Sequence, residues 1–165
     1  MSTEASDLLV AALIGVGATA LLDLWSLFLK RAFQAPLPNF CLVGRWFSHM
    51  TEGRFRHAAI ATASQMPSEC AVGWIAHYVI GALYGLAFVA LAAGDWLARP
   101  TLWPALIFGV VTVLLPFLIM QPAFGLGLAA SRMPNPWQAR LRALLSHTVF
   151  GVGMYICAVG AGRLL

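Results

Sequence analysis

Four long runs of apolar residues, separated by short polar or proline-containing segments, dominate the pattern of the chain. They cover about residues 8–30, 70–94, 101–121 and 136–162. An α-helix needs about 20 predominantly apolar residues to cross the hydrocarbon core of a bilayer. Each run meets that requirement, so the pattern predicts four transmembrane helices. The connection near Gly94 is short, which favours antiparallel neighbours and an all-α four-helix transmembrane bundle.

The segment between the first two predicted spans has an amphipathic pattern of its own. Prolines 36 and 38 end the first helix. Residues 39–50, the first part of an interfacial segment predicted over 39–57, are too short to cross a bilayer. Apolar side chains recur there at helical spacing on one side: Phe40, Val43, Phe47 and Met50. The pattern predicts an interfacial amphipathic helix. In the third span, Pro116 and Pro122 predict a kinked or locally opened helix.

Composition supports a membrane protein. Hydrophobic residues make up 61% of the 165-residue chain and charged residues 10%, and the mean hydropathy is +0.82. Soluble domains are about one quarter charged. We therefore expect residues 1–165 to form a single integral membrane domain whose main partner is the lipid bilayer. Nucleic acid is not expected as a partner, because the basic residues form no stripe.

Charge and cysteine content predict orientation and redox state. Eight of the ten Lys and Arg residues fall in the first and third connections: Lys30, Arg31, Arg45, Arg54, Arg56, Arg132, Arg140 and Arg142. The positive-inside rule places these connections in the cytoplasm and both termini outside. Cys41, Cys70 and Cys157 are odd in number and form no CxxC motif. This favours reduced thiols over a disulfide.

Each predicted span carries one polar group within its apolar run. Steps of four along the first span give Ala11, Gly15, Thr19 and Asp23, and steps along the second give Gly73, His77, Gly81 and Gly85. Small residues mark the faces on which membrane helices approach one another. Gln121 and His147 are the polar groups of the third and fourth spans. At 1.5 Å per residue the four lie at depths of roughly 7 to 17 Å from the cytoplasmic side.

These four residues predict a buried site that opens towards the cytoplasm. A carboxylate, two imidazoles and a carboxamide suit a proton or an unknown small ligand, as in a transporter or transporter accessory. Asp23, His77 and His147 are alternatively a ligand set for a transition metal, and the two histidines are axial ligands for a haem, in a membrane redox enzyme. A structural hydrogen-bonded clasp between helices is the third interpretation.

Residues near the predicted cytoplasmic surface complete the set of candidates. Arg54, Arg56 and His57 are predicted to line the mouth of the site, with contact to lipid phosphates as the alternative. His49 and His57 are expected to titrate freely at that surface. Tyr78 and Tyr84 either join the site or face lipid or a helix interface. A transporter of this size would need a second copy, so a homo-oligomer is an expected partner.

Five segments together resemble a known family: GVGATALLDLWSL, NFCLVGRWFSHMTEGRFRH, GWIAHYVIG, PFLIMQPAFGLGLAASRMP and SHTVFGVGMY. They are similar to those of short bacterial inner-membrane proteins that share a domain of unknown function, and the resemblance covers almost the whole chain. It implies a multi-pass protein of four spans in the bacterial cytoplasmic membrane. With the charge bias, both termini are then expected in the periplasm. The resemblance implies no activity.

Overall fold

The computed structural model describes residues 3–92 and 96–162, and helices are the regular secondary structure in those ranges. The α-helices are α1 (Thr3–Phe33), α2 (Phe40–Met50), α3 (Glu69–Leu91), α4 (Leu102–Val111), α5 (Gln121–Ala123) and α6 (Pro136–Ala161). Pro116–Met120 is π-helical, and Ile60–Thr62 and Leu128–Ala130 are 3₁₀-helical. The predicted all-α class is confirmed.

Four helical segments are long and apolar enough to cross a membrane: Ala5–Phe33, Glu69–Leu91, Leu102–Ala123 and Pro136–Ala161. They agree with the predicted spans to within a few residues, so the chain is a multi-pass membrane protein with four spans. The prediction extends the second span to Gly94, which lies outside the described residues, as does Asp95 of the connection after it. α2 occupies the predicted segment between the first two spans.

Pro116 opens the third span, as predicted. Proline has no backbone N–H, so the carbonyl of Thr112 has no donor four residues further on. It accepts instead from the nitrogen of Leu115 at 3.2 Å, and the helix resumes as the π-helical turn Pro116–Met120. Such turns occur mostly as local widenings inside α-helices. The third span is therefore interrupted in its hydrogen-bond pattern at Pro116.

The chain forms two compact units. The first contains Met1–Leu37, Tyr78–Val111 and Ser146–Leu165, and the second contains Pro38–His77 and Thr112–Leu145. In the first unit, α1, α4 and the later parts of α3 and α6 pack as a four-helix bundle. Among the described residues, its core includes Ile14, Ala18, Phe88, Trp96, Ala105, Phe150, Met154 and Ala158.

Small residues bring α1 and α3 into close contact in the first unit. A Cβ atom added to Gly15 would overlap the carbonyl of Gly81, and one added to Gly85 would overlap the carbonyl of Ala11. The hydroxyl of Thr19 donates to the Gly15 carbonyl at 2.8 Å and lies against Gly81. The predicted packing face Ala11–Gly15–Thr19 is confirmed, because these backbones approach too closely for larger side chains.

In the second unit, α2 packs on the start of α3 through another pair of glycines. A Cβ atom on Gly44 would overlap the Glu69 carbonyl, and one on Gly73 would overlap the Phe40 carbonyl. The core of this unit contains Trp46, Ile60, Ala123 and Phe124. Backbone hydrogen bonds from His57 to Ala123 (2.8 Å) and from Ile60 to Phe124 (3.1 Å) attach the segment after α2 to the end of the third span.

The structure contains a disulfide between two of the three cysteines, where the sequence favoured reduced thiols. Cys41 of α2 and Cys70 of α3 form a disulfide, and Cys157 is a free thiol. Spacing along the chain did not indicate this pair, because the two residues are 29 positions apart. They meet because the Gly44–Gly73 contact places the first turns of α2 and α3 side by side.

Candidate functional site

Asp23 of α1 is hydrogen-bonded to Tyr78 of α3 within the first unit. The Tyr78 hydroxyl donates to Asp23 Oδ2 at 2.9 Å, and both residues are half-buried. A carboxylate in an apolar span is costly unless it has polar partners, and it usually marks a functional position. The structure therefore supplies a direct partner for the one acidic side chain in the middle of α1.

The helix contact explains why these two side chains meet. Asp23 lies one turn after Thr19 on α1, and Tyr78 lies one turn before Gly81 on α3. Because Thr19 and Gly81 are in contact, the next residues along the same faces are adjacent as well. Interface or lipid contact was the alternative for Tyr78; its hydroxyl is hydrogen-bonded to Asp23, and its part in a functional site stays a prediction. Tyr78 is three residues before Gly81, and this spacing in the sequence is what indicates that it lies on the face of α3 that packs on α1.

His147 belongs to the same unit but has a different environment. Its ring is hydrogen-bonded to the backbone of Gly109 in α4. The two helices are close here, because a Cβ atom on Gly109 would overlap the backbone of Gly151, one turn after His147. His147 thus connects α6 to α4. Whether His147 belongs to a functional site or to a structural clasp stays a prediction.

His77 and Gln121 belong to the second unit. The His77 ring stacks on Phe40 with ring centroids 4.0 Å apart, and Trp74 meets it edge-on at 5.9 Å. Gln121 is 9% exposed, and its Oε1 atom is buried with no hydrogen-bond partner in the described part of the chain. That all four polar residues share one site stays a prediction.

Arg45 and Glu69 form a buried ion pair that the sequence did not indicate. Arg45 Nη2 lies 2.7 Å from Glu69 Oε1, and the two side chains are 7% and 12% exposed. The hydrogen bond to Glu69 raises the pKa of Arg45 above its ordinary value, although burial opposes this effect. Arg45 and Glu69 therefore both stay ionised, and their ion pair links α2 to the first turn of α3.

The expectation that His49 and His57 lie freely at the surface is wrong. His49 is 1% exposed, and its Nε2 lies 3.0 Å from the Ser64 carbonyl while its Nδ1 lies 3.3 Å from Glu52 Oε2. The His57 ring is 5.0 Å from that of His49. Burial, then the charges of His49 and Arg54, lower the pKa of His57. Polarity alone suggested the surface, but the loop after α2 packs on His49 through Ser64 and places His57 beside the His49 ring.

The remaining candidates at the predicted mouth are exposed. Arg54 and Arg56 both lie on the surface of the second unit, and Arg54 Nε is 3.7 Å from Glu52 Oε2. This exposure suits either a mouth or contact with lipid phosphates, so the role of the mouth stays a prediction. Within residues 3–92 and 96–162, no group of three or more His, Cys, Asp and Glu side chains is placed to hold a metal ion.

Comparison with known families gives one informative result. A family model described as "Protein of unknown function (DUF2938)" matches residues 12–160. Neither a curated protein nor a solved structure matches the chain. The match confirms the resemblance seen in the sequence.

Proposed function

Because the chain belongs to the DUF2938 family, whose description assigns no activity, we propose a function from its own residues: the protein handles protons within the membrane, with Asp23 and Tyr78 as the proton-binding pair. The observation that carries the proposal is the 2.9 Å hydrogen bond between Tyr78 Oη and Asp23 Oδ2 inside two apolar spans.

The chemistry of the pair suits uptake and release of a proton. An ionised carboxylate only accepts hydrogen bonds, whereas a protonated one also donates, and a tyrosine hydroxyl does both. Tyr78 can therefore donate to the carboxylate of Asp23 or accept from its acid form. The hydrogen bond survives in both protonation states, so protonation need not disrupt the packing of α1 on α3. Carboxylates of this kind occur in the proton relays of pumps and transporters.

More specifically, we propose that binding and release of this proton are coupled to transport of a small ligand. The protein would then be a small transporter or a transporter accessory in a bacterial inner membrane. The charge bias supports an orientation with both termini in the periplasm and the two basic connections in the cytoplasm. In the first of these connections the charge of Arg45 is balanced by Glu69. The exposed Arg54 and Arg56 lie in the same connection and contribute to its positive charge.

Infrared titration tests proton binding directly. The purified protein in liposomes is titrated while the carbonyl stretch of protonated carboxylic acids is recorded. We expect a band that disappears in Asp23→Asn and shifts in frequency in Tyr78→Phe, because the phenol hydrogen bond alters the carbonyl. Asp7→Asn is the matched control, since Asp7 lies on the same helix but is exposed.

A second measurement separates proton handling from a clasp. A pH-sensitive dye trapped in the liposomes reports proton flux under an imposed potassium diffusion potential. We expect Asp23→Asn to lower the flux while Asp7→Asn leaves it unchanged. If the Asp23→Asn spectra equal those of the wild type at every pH and the flux is unaltered, the Asp23–Tyr78 pair is a structural clasp.

A further inference from the structure

The disulfide between Cys41 and Cys70 joins the first turns of two helices and is open to attack from one side. Cys41 is the second residue of α2 and Cys70 is the second residue of α3. Cys41 is half-buried, whereas Cys70 is exposed. An attacking thiol therefore has access to the sulfur of Cys70 before that of Cys41. Disulfide exchange depends on such access to one of the two sulfur atoms.

Other contacts hold α2 against α3 without the disulfide. Arg45 and Glu69 form their ion pair at 2.7 Å next to Cys70. The backbones of Gly44 and Gly73 meet directly, and the Phe40 ring next to Cys41 stacks on His77 at 4.0 Å. Reduction of the disulfide should therefore loosen the contact between the two helices without separating them. The bond can open and close on a preserved framework.

The charge bias places this bond in a reducing compartment. Cys41 and the start of α3 belong to the first connection, which carries Lys30, Arg31, Arg54 and Arg56 and is cytoplasmic by the positive-inside rule. Disulfides are rare in the cytoplasm, and those that occur are usually transient, with a catalytic or redox-sensing role. We therefore expect an exposed disulfide in this connection to alternate between its oxidised and reduced forms.

We propose that Cys41 and Cys70 are a redox-active pair that exchanges its disulfide with the dithiol of a thioredoxin-like reductant in the cytoplasm. The reductant's thiolate attacks the Cys70 sulfur, the bond between Cys41 and Cys70 breaks, and Cys41 leaves as a thiolate. The reductant's second thiol then releases Cys70 and forms the reductant's own disulfide. Two electrons pass to the pair, and the two thiolates take up the two protons that the dithiol loses.

The position of Cys70 favours its part in the exchange. It lies in the first turn of α3, where the helix dipole stabilises the negative charge that develops on its sulfur when it leaves the reductant. The adjacent Glu69 carboxylate is held by Arg45 at 2.7 Å, so its charge is balanced. The reverse reaction, oxidation by a protein disulfide, begins at the same exposed sulfur. The proposal does not depend on proton handling by Asp23.

Alkylation in growing cells tests the proposal on the native pair. A Cys157→Ser background leaves only Cys41 and Cys70 to react, and acid quenching followed by a polymer-linked maleimide separates the reduced and oxidised forms on a gel. We expect both cysteines to be alkylated in untreated cells. Diamide should remove this shift, and it should return after the oxidant is washed out. A pair that stays oxidised in every sample would overturn the proposal.

Two further measurements determine on which side of the membrane the pair lies and which of its two sulfur atoms reacts first. In intact cells, a membrane-impermeant maleimide added after reduction should leave both cysteines unlabelled; labelling would place the pair outside and make it a structural disulfide, contrary to the proposal. With oxidised glutathione, Cys41→Ser should be modified at Cys70 faster than Cys70→Ser is modified at Cys41. Equal rates, with both variants giving the wild-type circular dichroism spectrum, would contradict attack at Cys70.

Discussion

Arg45 and Glu69 form a two-pronged ion pair between α2 and α3, in which Arg45 Nε donates to Glu69 Oε2 at 2.8 Å and Nη2 donates to Oε1 at 2.7 Å. The third nitrogen, Nη1, is within 3.1 to 3.2 Å of the carbonyls of Ile60, Ala61 and Ala63. Every nitrogen of the guanidinium group therefore has an acceptor. The pair organises the loop after α2 as well as the contact between the two helices.

Replacing Arg45 should destabilise the protein strongly. Arg45→Gln leaves the largely buried Glu69 carboxylate without its counter-charge; breaking a fully buried pair on one side costs about 3–5 kcal/mol, and the backbone donor that Glu69 keeps at Met66 places the expected loss at the lower end. Arg45→Lys should recover only part of this, because lysine lacks the planar fork that binds both carboxylate oxygens. Thermal unfolding of the purified protein in detergent measures the loss.

An exposed arginine on the same connection provides the control. The Arg54 side chain is 62% exposed, so Arg54→Gln should change the free energy of unfolding by less than about 0.5 kcal/mol. The double variant Arg45→Gln, Glu69→Gln should lose less than the sum of the two single variants, since neither charge is then left unpaired. Equal losses for Arg45→Gln and Arg54→Gln would contradict the assigned role of the pair.

Gly81→Ala should disrupt the contact between α1 and α3. The added Cβ atom would overlap Thr19 Oγ1, and overpacking of this kind typically costs about 1–3 kcal/mol. The background Thr19→Ala removes the overlapping oxygen and should reduce that cost. Gly160→Ala is the control, because a Cβ atom there has nothing within 4 Å among the described atoms. A Gly81→Ala variant as stable as Gly160→Ala would show that this contact is not tight.

The helix repeat explains why the α1 face was predictable. Residues four apart lie on one face of any α-helix, so the small side chains before Asp23 identify its packing side without knowledge of the partner. The structure confirms that face through Gly15 and Gly81. Tyr78 was harder to place, because an aromatic residue with a hydroxyl suits lipid headgroups and helix interfaces equally well. Only the partner helix decides between them.

Arg45 shows where the sequence pattern stops being informative. It lies off the apolar stripe of α2, which by itself indicates exposure to water or headgroups. Its acceptors are the carbonyls of Ile60, Ala61 and Ala63 in a loop without periodic pattern. No spacing rule locates a loop carbonyl, so burial of Arg45 and His49 could not be predicted. The Cys41–Cys70 pair was missed for the same reason, since it depends on that local tertiary contact.

The stability of the second unit should fall as the pH drops below the ordinary histidine pKa. Burial, the nearby His49 ring and Arg54 lower the pKa of His57 from its ordinary value of 6.5. The unfolded chain then binds more protons than the folded chain between the two pKa values, so the free energy of unfolding rises with pH in that window. The stabilising contribution is complete above 6.5 and decreases as the pH falls towards the folded-state value.

A neutral replacement of His57 separates its effect from those of other groups. His57→Gln should flatten the pH dependence of unfolding in this window, while Arg54→Gln should only reduce it, because burial is the larger cause of the shift. Amide hydrogen exchange at the His57 nitrogen, which donates to Ala123, reports opening of this segment. An unchanged slope in His57→Gln would assign the titration to a different residue.

Removing the disulfide should lower stability by an amount set by the loop that it closes. Cys41 and Cys70 are 29 residues apart, and closure of a loop of this length is worth about 3.6 kcal/mol in the unfolded-chain entropy. The double variant with both Cys41→Ser and Cys70→Ser should therefore unfold at a lower temperature than the oxidised wild type. Its unfolding temperature should be about that of the reduced wild type. Cys157→Ser, which leaves the bond intact, is the control. A double variant as stable as the oxidised protein would contradict this entropic contribution.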